Sequence, residues 1–271
     1  MKVTKNKLGV IGAGNMGMAI VNGIVNSNII SANQIGILVH SQSKLPQFEA
    51  KGFKTYTNSA ELYSQCEIVL LGVKPQIMPT VLDEISAGNK YDAQILISIA
   101  AGISIEYIQS YFKEPVKIIR VMPNTPLLIG EGASVFSRSE NVTDDEYDNV
   151  IALFNLMGCT KRIDENQMNE IIPVHGSSPA FVYYIINCML QSSVKAGIDP
   201  DVALDLICQT FIGATHMITK TDVPLQQLIK NVCSPGGTTL AALKVFDDNN
   251  LNAIFDEAFD QCIKRAYELG R

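Results

Sequence analysis

Two glycine-rich stretches of the sequence contain residues that could bind anions. Near the N-terminus, Gly12, Gly14 and Gly17 form a Gly-x-Gly-x-x-Gly pattern between a short apolar run and a helix-like pattern. In this context the first glycine allows a tight turn, the second lets a pyrophosphate approach the backbone, and the third lets the helix pack against the strand. We therefore predict a dinucleotide-binding loop with contacts from Gly12, Ala13, Gly14, Asn15, Met16 and Gly17.

The second stretch lies near the C-terminus, where residues 234–239 read Ser-Pro-Gly-Gly-Thr-Thr. The Pro-Gly-Gly part would end one helix, and Thr238 or Thr239 could cap the next. Free N–H groups and the helix dipole at such an N-terminus favour an anion, and a carboxylate is the natural guest. A plain helix–helix turn with a threonine cap would use the same residues, so both interpretations stay open.

The residues that follow the second strand-like run indicate which dinucleotide would bind. Residues 35–39 are typical of a buried strand, and a NAD site usually places Asp or Glu at its end to hold the ribose hydroxyls. This chain has hydroxyls, an amide and a cation there instead, which suit the 2′-phosphate of NADP better; a solvated turn is the alternative. We predict NADPH as the preferred cofactor, NADH as the alternative, and contacts from Ser41, Gln42, Ser43 and Lys44.

Two further strand-like runs end in residues that would border the same ligand. In a doubly wound sheet the carboxyl ends of the strands face the ligand. The run over residues 67–73 is stopped by Pro75, which cannot donate to a strand ladder. The run over residues 94–99 is followed by small side chains that let a ring approach the backbone. We predict further cofactor contacts from Val73, Lys74, Pro75, Ala100 and Ala101.

The order of the patterns predicts the fold class. Strand-like and helix-like runs alternate through residues 1–163, which predicts a doubly wound parallel (Rossmann) sheet that binds NAD(P). Strand-like runs disappear in residues 164–271, and apolar residues recur there at intervals of three or four, which predicts an all-helical domain. A capping box from Thr143 to Glu146, and Asp199 followed by proline, mark two helix starts.

Composition narrows the classes of function. The formal net charge of −6 argues against a nucleic-acid partner. The six cysteines include no Cys-x-x-Cys pair and only three histidines accompany them, so we expect neither a metal site nor a disulfide framework. No apolar run approaches the roughly 18 residues of a membrane span, and no cleavage site follows the lysine-rich N-terminus. We expect a cytoplasmic protein.

Five segments together resemble the pyrroline-5-carboxylate reductase family, which performs the last step of proline synthesis. They follow one another in the family's order over nearly the whole chain, and the last is the family's most specific signature. The segments are the Gly-Ala-Gly-Asn-Met-Gly of residues 12–17, Val-Lys-Pro of 73–75, Ala-Ala-Gly of 100–102, Met-Pro-Asn-Thr-Pro of 122–126 and Val-Cys-Ser-Pro-Gly-Gly-Thr-Thr-Leu-Ala-Ala-Leu of 232–243.

The resemblance implies reduction of 1-pyrroline-5-carboxylate to L-proline by NAD(P)H, with the substrate carboxylate held at residues 236–239. Thr239 is the best candidate to hydrogen-bond the ring nitrogen and is the predicted catalytic residue. The predicted substrate-binding residues are Glu165, Asp222, Gly236, Gly237 and Thr238.

The resemblance also implies further cofactor contacts and self-association. Asn58 and Asn231 would touch the cofactor. The helical domain would form a homodimer that can assemble into a larger homo-oligomer, with a small-molecule substrate and neither nucleic acid nor membrane as partner.

The sequence departs from the family pattern at several positions. The family usually has Ser-Gly-Ser-Gly-Pro-Ala-Tyr where residues 175–181 read His-Gly-Ser-Ser-Pro-Ala-Phe, and often has glutamate where Asn187 stands. It often has Asn-Arg where Ser41 and Gln42 stand, and the missing arginine removes a bidentate phosphate partner. His175 is either a titrating imidazole beside the site or a packed side chain.

Two other classes of function stay open. One is a related oxidoreductase that acts on another imine or on a hydroxy acid. The other is a non-catalytic regulator that kept the fold, which the changes at His175, Ser178 and Asn187 allow. The intact glycine loop and the intact Ser-Pro-Gly-Gly-Thr-Thr stretch argue against the regulator.

Overall fold

The computed structural model describes residues 6–39, 41–87 and 94–270, with the backbone alone at Gln42. The described residues contain an 8-stranded sheet with the order β3-β2-β1-β4-β5-β6-β7-β8. Strands β1 to β6 are parallel, β7 is antiparallel to β6, and β8 is parallel to β7. The strands are β1 Asn6–Ile11, β2 Ile35–Leu38, β3 Lys54–Tyr56, β4 Cys66–Leu71, β5 Ile95–Ser98, β6 Lys117–Met122, β7 Gly132–Arg138 and β8 Gly158–Arg162.

Helices cover both faces of this sheet. One apolar cluster joins buried residues of α1 and α6 to the sheet, and a second cluster joins residues of α3, α4 and α5 to it. This arrangement confirms the predicted doubly wound fold. The helices associated with the sheet are α1 Asn15–Asn26, α2 Leu45–Glu49, α3 Ser59–Gln65, α4 Met78–Ser86, α5 Ile105–Gln109 and α6 Asp144–Asn155.

Three strands lie outside the predicted apolar runs. β3 has only 3 residues, each exposed or half-buried, and it forms one edge of the sheet. β8 forms the other edge and reads Gly-Cys-Thr-Lys-Arg, so its side chains are mostly exposed. β7 is the antiparallel exception in a sheet that the alternating pattern predicts to be parallel. Polar edge strands lack the apolar signal by which buried strands are found.

Helices alone follow the sheet. They are α7 Ser178–Lys195, α8 Pro200–Lys220, α9 Leu225–Val232, α10 Thr238–Asp248 and α11 Leu251–Leu269. The helical C-terminal region is therefore confirmed. Asp199 caps α8 as predicted, because its side chain accepts hydrogen bonds from the N–H groups of Asp201 and Val202.

By packing, the chain divides into two compact units, residues 1–177 with 262–271 and residues 178–261. We call them the sheet unit and the helical unit. The predicted boundary between residues 163 and 164 marks where the strand pattern ends. Residues beyond it still pack with the sheet, because Met168 and Ile172 are buried in one apolar cluster with Met122.

The helical unit exposes many large apolar side chains. Tyr183 and Tyr184 of α7 are 61% and 71% exposed, and Leu206 of α8 is 63% exposed. In the described chain, α8 alone is long and apolar enough to cross a membrane by length and composition, which is weak evidence by itself. Exposed apolar area on this scale marks an interaction surface.

The capping box that begins α6 gives a stability prediction. The Thr143 hydroxyl accepts a hydrogen bond from the N–H of Glu146, and the Glu146 carboxylate accepts one from the N–H of Thr143. Thr143→Ala removes the cap and should lower the free energy of unfolding by about 0.5–2 kcal/mol in urea denaturation. Asn149→Ala, an exposed change within the same helix, is the control and should not lower stability, because alanine is the better helix former. Equal effects of the two substitutions would contradict a role for the cap.

Candidate active site

The glycine loop lies at the point where the connections of the sheet reverse direction. From β1 the chain proceeds to β2 and β3 on one side, and from β4 it proceeds to β5 and β6 on the other. Gly12 follows β1 with a φ of +100°, and a Cβ there would lie 2.5 Å from the carbonyl carbon of Gly72, which follows β4. A Cβ on Gly17 would lie 2.5 Å from the carbonyl oxygen of Gly12. The packing therefore requires glycine at both positions.

Gly14 is different, because no described residue lies close enough to restrict a side chain there. Its φ is −80°, and a Cβ there would meet no atom within 4 Å. It is the N-cap of α1 and supplies no side-chain hydrogen bond, so the first N–H groups of the helix have no side-chain cap. Open space beside an uncapped helix N-terminus fits a pyrophosphate group. The residues present therefore fit a dinucleotide.

The other predicted contacts of this loop, and those after β4 and β5, lie along the same edge of the sheet. Ala13, Asn15 and Met16 belong to the loop and the start of α1, and Asn15 is exposed. Lys74 and Pro75 lead from β4 into a 3₁₀ turn over Pro75–Ile77. The remaining residues follow β4 or β5: Val73 and Ala101 are half-buried and Ala100 is buried.

The predicted 2′-phosphate contacts form an exposed turn after β2, the neighbour of β1. Residues Gln42–Lys44 form a 3₁₀ turn, and the hydroxyls of Ser41 and Ser43 lie 2.8 Å apart. Lys44 is exposed, and the side chain of Gln42 lies outside the described part of the chain. Asn58 follows β3 and caps α3, since its Oδ1 accepts a hydrogen bond of 2.9 Å from the N–H of Glu61.

The predicted substrate loop, residues 234–239 of the helical unit, is a tight turn followed by a helix. The N–H of Gly237 donates to the carbonyl of Ser234 at 2.9 Å, with Pro235 and Gly236 between them. Gly236 has a φ of +68°, which a type II turn requires at its third residue. A Cβ on Gly237 would lie 2.4 Å from Oγ of Ser234. The two glycines therefore suit this turn, Gly236 through its positive φ and Gly237 through its close approach to Ser234.

The prediction that a threonine caps α10 is wrong. Gly237 has the extended backbone of an N-cap, with φ −78° and ψ 166°, and it has no side chain to form a cap. Thr238 and Thr239 are the first two residues of the helix, Thr238 exposed and Thr239 half-buried. Their hydroxyls are therefore not occupied in capping, and the helix N-terminus has no side-chain cap.

The two other predicted residues of the helical unit are exposed. Asp222 lies in the loop between α8 and α9. Asn231 lies near the end of α9, where its Oδ1 accepts a hydrogen bond of 2.7 Å from Nε2 of Gln227.

Glu165, predicted near the substrate, belongs to a network in the sheet unit. Its Oε1 accepts a hydrogen bond of 2.6 Å from the N–H of Ile105 and lies 3.5 Å from Nη1 of Arg120. Nη2 of Arg120 donates to Oδ1 of Asn169 at 3.1 Å. Burial lowers the pKa of Arg120, and the Glu165 carboxylate acts in the opposite direction. Sequence analysis missed Arg120. It could have been found as a charged residue within the otherwise apolar run of β6.

His175 is 9% exposed. This burial favours the interpretation of His175 as a packed side chain over that of a titrating imidazole beside the site. Its Nε2 lies 2.8 Å from the carbonyl oxygen of Met122, and its Nδ1 lies 3.2 Å from that of Ile171. The buried Asn124 accompanies it, and sequence analysis missed that residue although it stands between two prolines. Among the described residues, no three His, Cys, Asp or Glu side chains are grouped as a metal site requires.

The sheet and its glycine loop define a class of protein. A doubly wound sheet with a Gly-x-Gly-x-x-Gly loop at its switch point, and with space for a pyrophosphate beside that loop, is a nicotinamide-dinucleotide-binding module of the Rossmann class. Residues 7–102 match the family model described as NADP oxidoreductase, coenzyme F420-dependent. Residues 165–269 match the model described as pyrroline-5-carboxylate reductase dimerisation.

Comparison with known proteins extends over the whole chain. A pyrroline-5-carboxylate reductase of Arabidopsis thaliana is 34% identical over 98% of this chain and 96% of its own length, and one of Haemophilus influenzae is 36% identical over 96% of each. The crystal structure of Plasmodium falciparum pyrroline carboxylate reductase with NADP bound matches with a TM-score of 0.89 and 31% identity, covering 99% of this chain and 100% of that one. The chain belongs to the pyrroline-5-carboxylate reductase family of oxidoreductases.

The contrast between Gly12 and Gly14 gives a prediction for the cofactor loop. Gly14→Val should abolish binding of both NADH and NADPH in calorimetry, because the side chain would fill the open space beside the loop. The melting temperature should change little, since no atom lies within 4 Å of a Cβ at that position.

Gly12→Ala is the matched comparison. It should destabilise the protein itself, because a Cβ there meets backbone atoms at 2.5 Å and the φ is positive. Unchanged dinucleotide affinity in Gly14→Val would contradict the assignment of this loop to the cofactor.

Proposed function

We propose that this protein reduces 1-pyrroline-5-carboxylate to L-proline with a reduced nicotinamide dinucleotide, the last step of proline synthesis. The observation that carries the proposal is the Ser234–Gly237 turn leading into an α10 without a side-chain cap. Two further observations support the proposal. The relatives of this chain are named for this reaction, and its glycine loop has space for the dinucleotide.

The substrate carboxylate is bound at the start of α10. The first N–H groups of a helix have no intrahelical acceptor, and the helix dipole adds positive potential there. The N–H of Gly237 is used within the turn, so the N–H groups of Thr238 and Thr239 are the next donors. The Thr238 hydroxyl is a further neutral donor. A carboxylate matches this set of donors in charge and in geometry.

The chemical step needs little acid–base catalysis from the protein. The bound dinucleotide supplies a hydride to the carbon of the C=N bond. A protonated imine is already electrophilic, so orientation of the two reactants provides most of the rate enhancement. Thr239, half-buried at the second position of α10, hydrogen-bonds the ring nitrogen and fixes the face that is reduced. Water supplies the proton that the imine nitrogen carries before the hydride is transferred.

The remaining predicted contacts complete the proposal. We assign Asn58 and Asn231 to the cofactor and Asp222 to the surroundings of the substrate. Glu165 is assigned there too, although its side chain already pairs with Arg120.

NADPH is the proposed preferred cofactor. No acidic residue is present at positions 39–44 to repel a 2′-phosphate. The turn after β2 presents the hydroxyls of Ser41 and Ser43 together with the exposed cation of Lys44. The Plasmodium falciparum relative has NADP bound.

The helical unit is the proposed site of homodimer formation, with larger assemblies built from dimers. The exposed apolar side chains of α7 and α8 need a partner surface, and residues 165–269 match a family model named for dimerisation. A dimer interface also accounts for the apolar composition of α8, so we propose no membrane association and a cytoplasmic location. The net charge of −6 gives no basis for a nucleic-acid partner.

Thr239→Val tests the catalytic assignment, because it keeps the side-chain volume and removes the hydroxyl. A hydrogen bond to a charged or reacting group contributes about 1.5–3 kcal/mol, so kcat/KM for pyrroline-5-carboxylate should fall roughly ten- to hundredfold. NADPH affinity and melting temperature should hardly change, since the N-cap is Gly237.

Thr80→Val is the matched control, because it makes the same change at an exposed position near the start of α4. It should leave both activity and stability unchanged. Normal turnover in Thr239→Val would show that the hydroxyl takes no part in the reaction.

Ser41→Asp tests the cofactor preference. The added carboxylate should repel the 2′-phosphate and shift the ratio of kcat/KM values toward NADH. Ser41→Asn is the control, because asparagine has nearly the same shape as aspartate but no charge, and it should keep the NADPH preference. A wild-type protein that already favours NADH in kcat/KM would show that the proposed preference is wrong.

A further inference from the structure

Hydrogen bonds of buried polar side chains join the loop after β6 to the helical turn Ile172–Gly176 of the sheet unit. Asn124 lies in the loop after β6, and its Nδ2 donates to the carbonyl of His175 at 3.1 Å. The N–H of Ala133 donates to Oδ1 of Asn124 at 2.8 Å. Asn124 and His175 are 8% and 9% exposed. We call this pair, with its backbone partners, the Asn124–His175 clamp.

The imidazole of His175 adds a second connection in the same place. Nε2 lies 2.8 Å from the carbonyl oxygen of Met122, and Nδ1 lies 3.2 Å from that of Ile171. Both neighbours are acceptors, so a ring nitrogen bonds to either one only if it carries a hydrogen. The Met122 carbonyl is the nearer acceptor, and we take Nε2 as the nitrogen that donates, to the last residue of β6.

The clamp acts on the edge of the sheet where the dinucleotide binds. Met122 ends β6 at the carboxyl edge, as Gly12 does after β1. A dinucleotide extends across the switch point, with one half on each side of it. The exposed turn of Ser41–Lys44 follows β2 on one side, so the strands on the other side, β4 to β6, receive the nicotinamide half.

We propose that His175 is a positioning residue for hydride transfer. Its Nε2–H holds the backbone of Met122, and with Asn124 it fixes the loop that borders the reacting half of the cofactor. His175 acts through Met122 and is therefore not a catalytic residue. The inference rests on the function proposed above.

Two substitutions separate the Met122 contact from the rest of the side chain. His175→Gln places an amide nitrogen near the position of Nε2, and His175→Asn places one near the position of Nδ1. We expect His175→Gln to retain kcat. We expect His175→Asn to lower kcat roughly tenfold or more, because a small displacement of a reactant is costly, while KM for NADPH stays within about twofold of the wild type.

Bound NADPH provides a readout that needs no turnover. Titration of each variant with NADPH, followed by nicotinamide fluorescence, should give an unchanged Kd for both. The emission of the bound ring should change in His175→Asn alone, because its surroundings include the displaced loop. A melting curve of each variant accompanies these measurements.

The variants can overturn the proposal in three ways. A wild-type kcat and emission in His175→Asn would overturn it, as would equal losses in both variants. Failure of His175→Asn to fold would show that the Met122 contact serves folding rather than positioning. A wild-type protein that binds NADPH but does not reduce pyrroline-5-carboxylate would refute the proposed function instead, and the fluorescence comparison would still decide the role of His175.

Discussion

The close approach of two backbone segments at the switch point is the constraint on which the rest of the sheet unit depends. Gly12 and Gly72 touch without side chains between them, and Gly17 packs directly on the carbonyl of Gly12. A side chain at any of these positions would separate β1 from β4 or lift α1 from the sheet. The contact therefore fixes both the sheet and the direction in which the first N–H groups of α1 point. Close packing at these three glycines thus sets the position of the open space beside Gly14.

Features encoded within a few residues could be predicted from the sequence, and those that depend on distant partners could not. The glycine loop, the Thr143 capping box and the Asp199 cap all have their signals within one helical turn. The Arg120–Glu165 pair joins positions 45 residues apart, and the His175–Met122 contact joins positions 53 apart. No local sequence pattern predicts contacts between such distant positions. The predicted threonine cap of α10 is wrong because the N-cap is Gly237, and a glycine has no capping side chain that a sequence pattern could reveal.

The Arg120–Glu165 pair complicates any test of Glu165. Arg120 is almost fully buried, and its charge is balanced by a carboxylate that also receives the N–H of Ile105. Removal of one partner of a buried pair leaves an uncompensated charge and is strongly destabilising. Loss of activity after substitution of Glu165 would therefore mix a lost substrate contact with a disturbed sheet unit. Within the described part of the chain, neither Asp222 nor Thr239 belongs to a buried ion pair, so substitutions there test the proposed substrate contacts more directly.

The two glycine-rich stretches are held in shape by different physical means. The loop after β1 is held by packing against the sheet, so its shape depends on the whole unit. The turn before α10 is held by its own residues: the Ser234–Gly237 hydrogen bond, the fixed φ of Pro235 and the positive φ of Gly236. The helical unit exposes large apolar surfaces that association must cover. Because its turn is locally determined, the proposed carboxylate site keeps its shape whichever surfaces the partner covers.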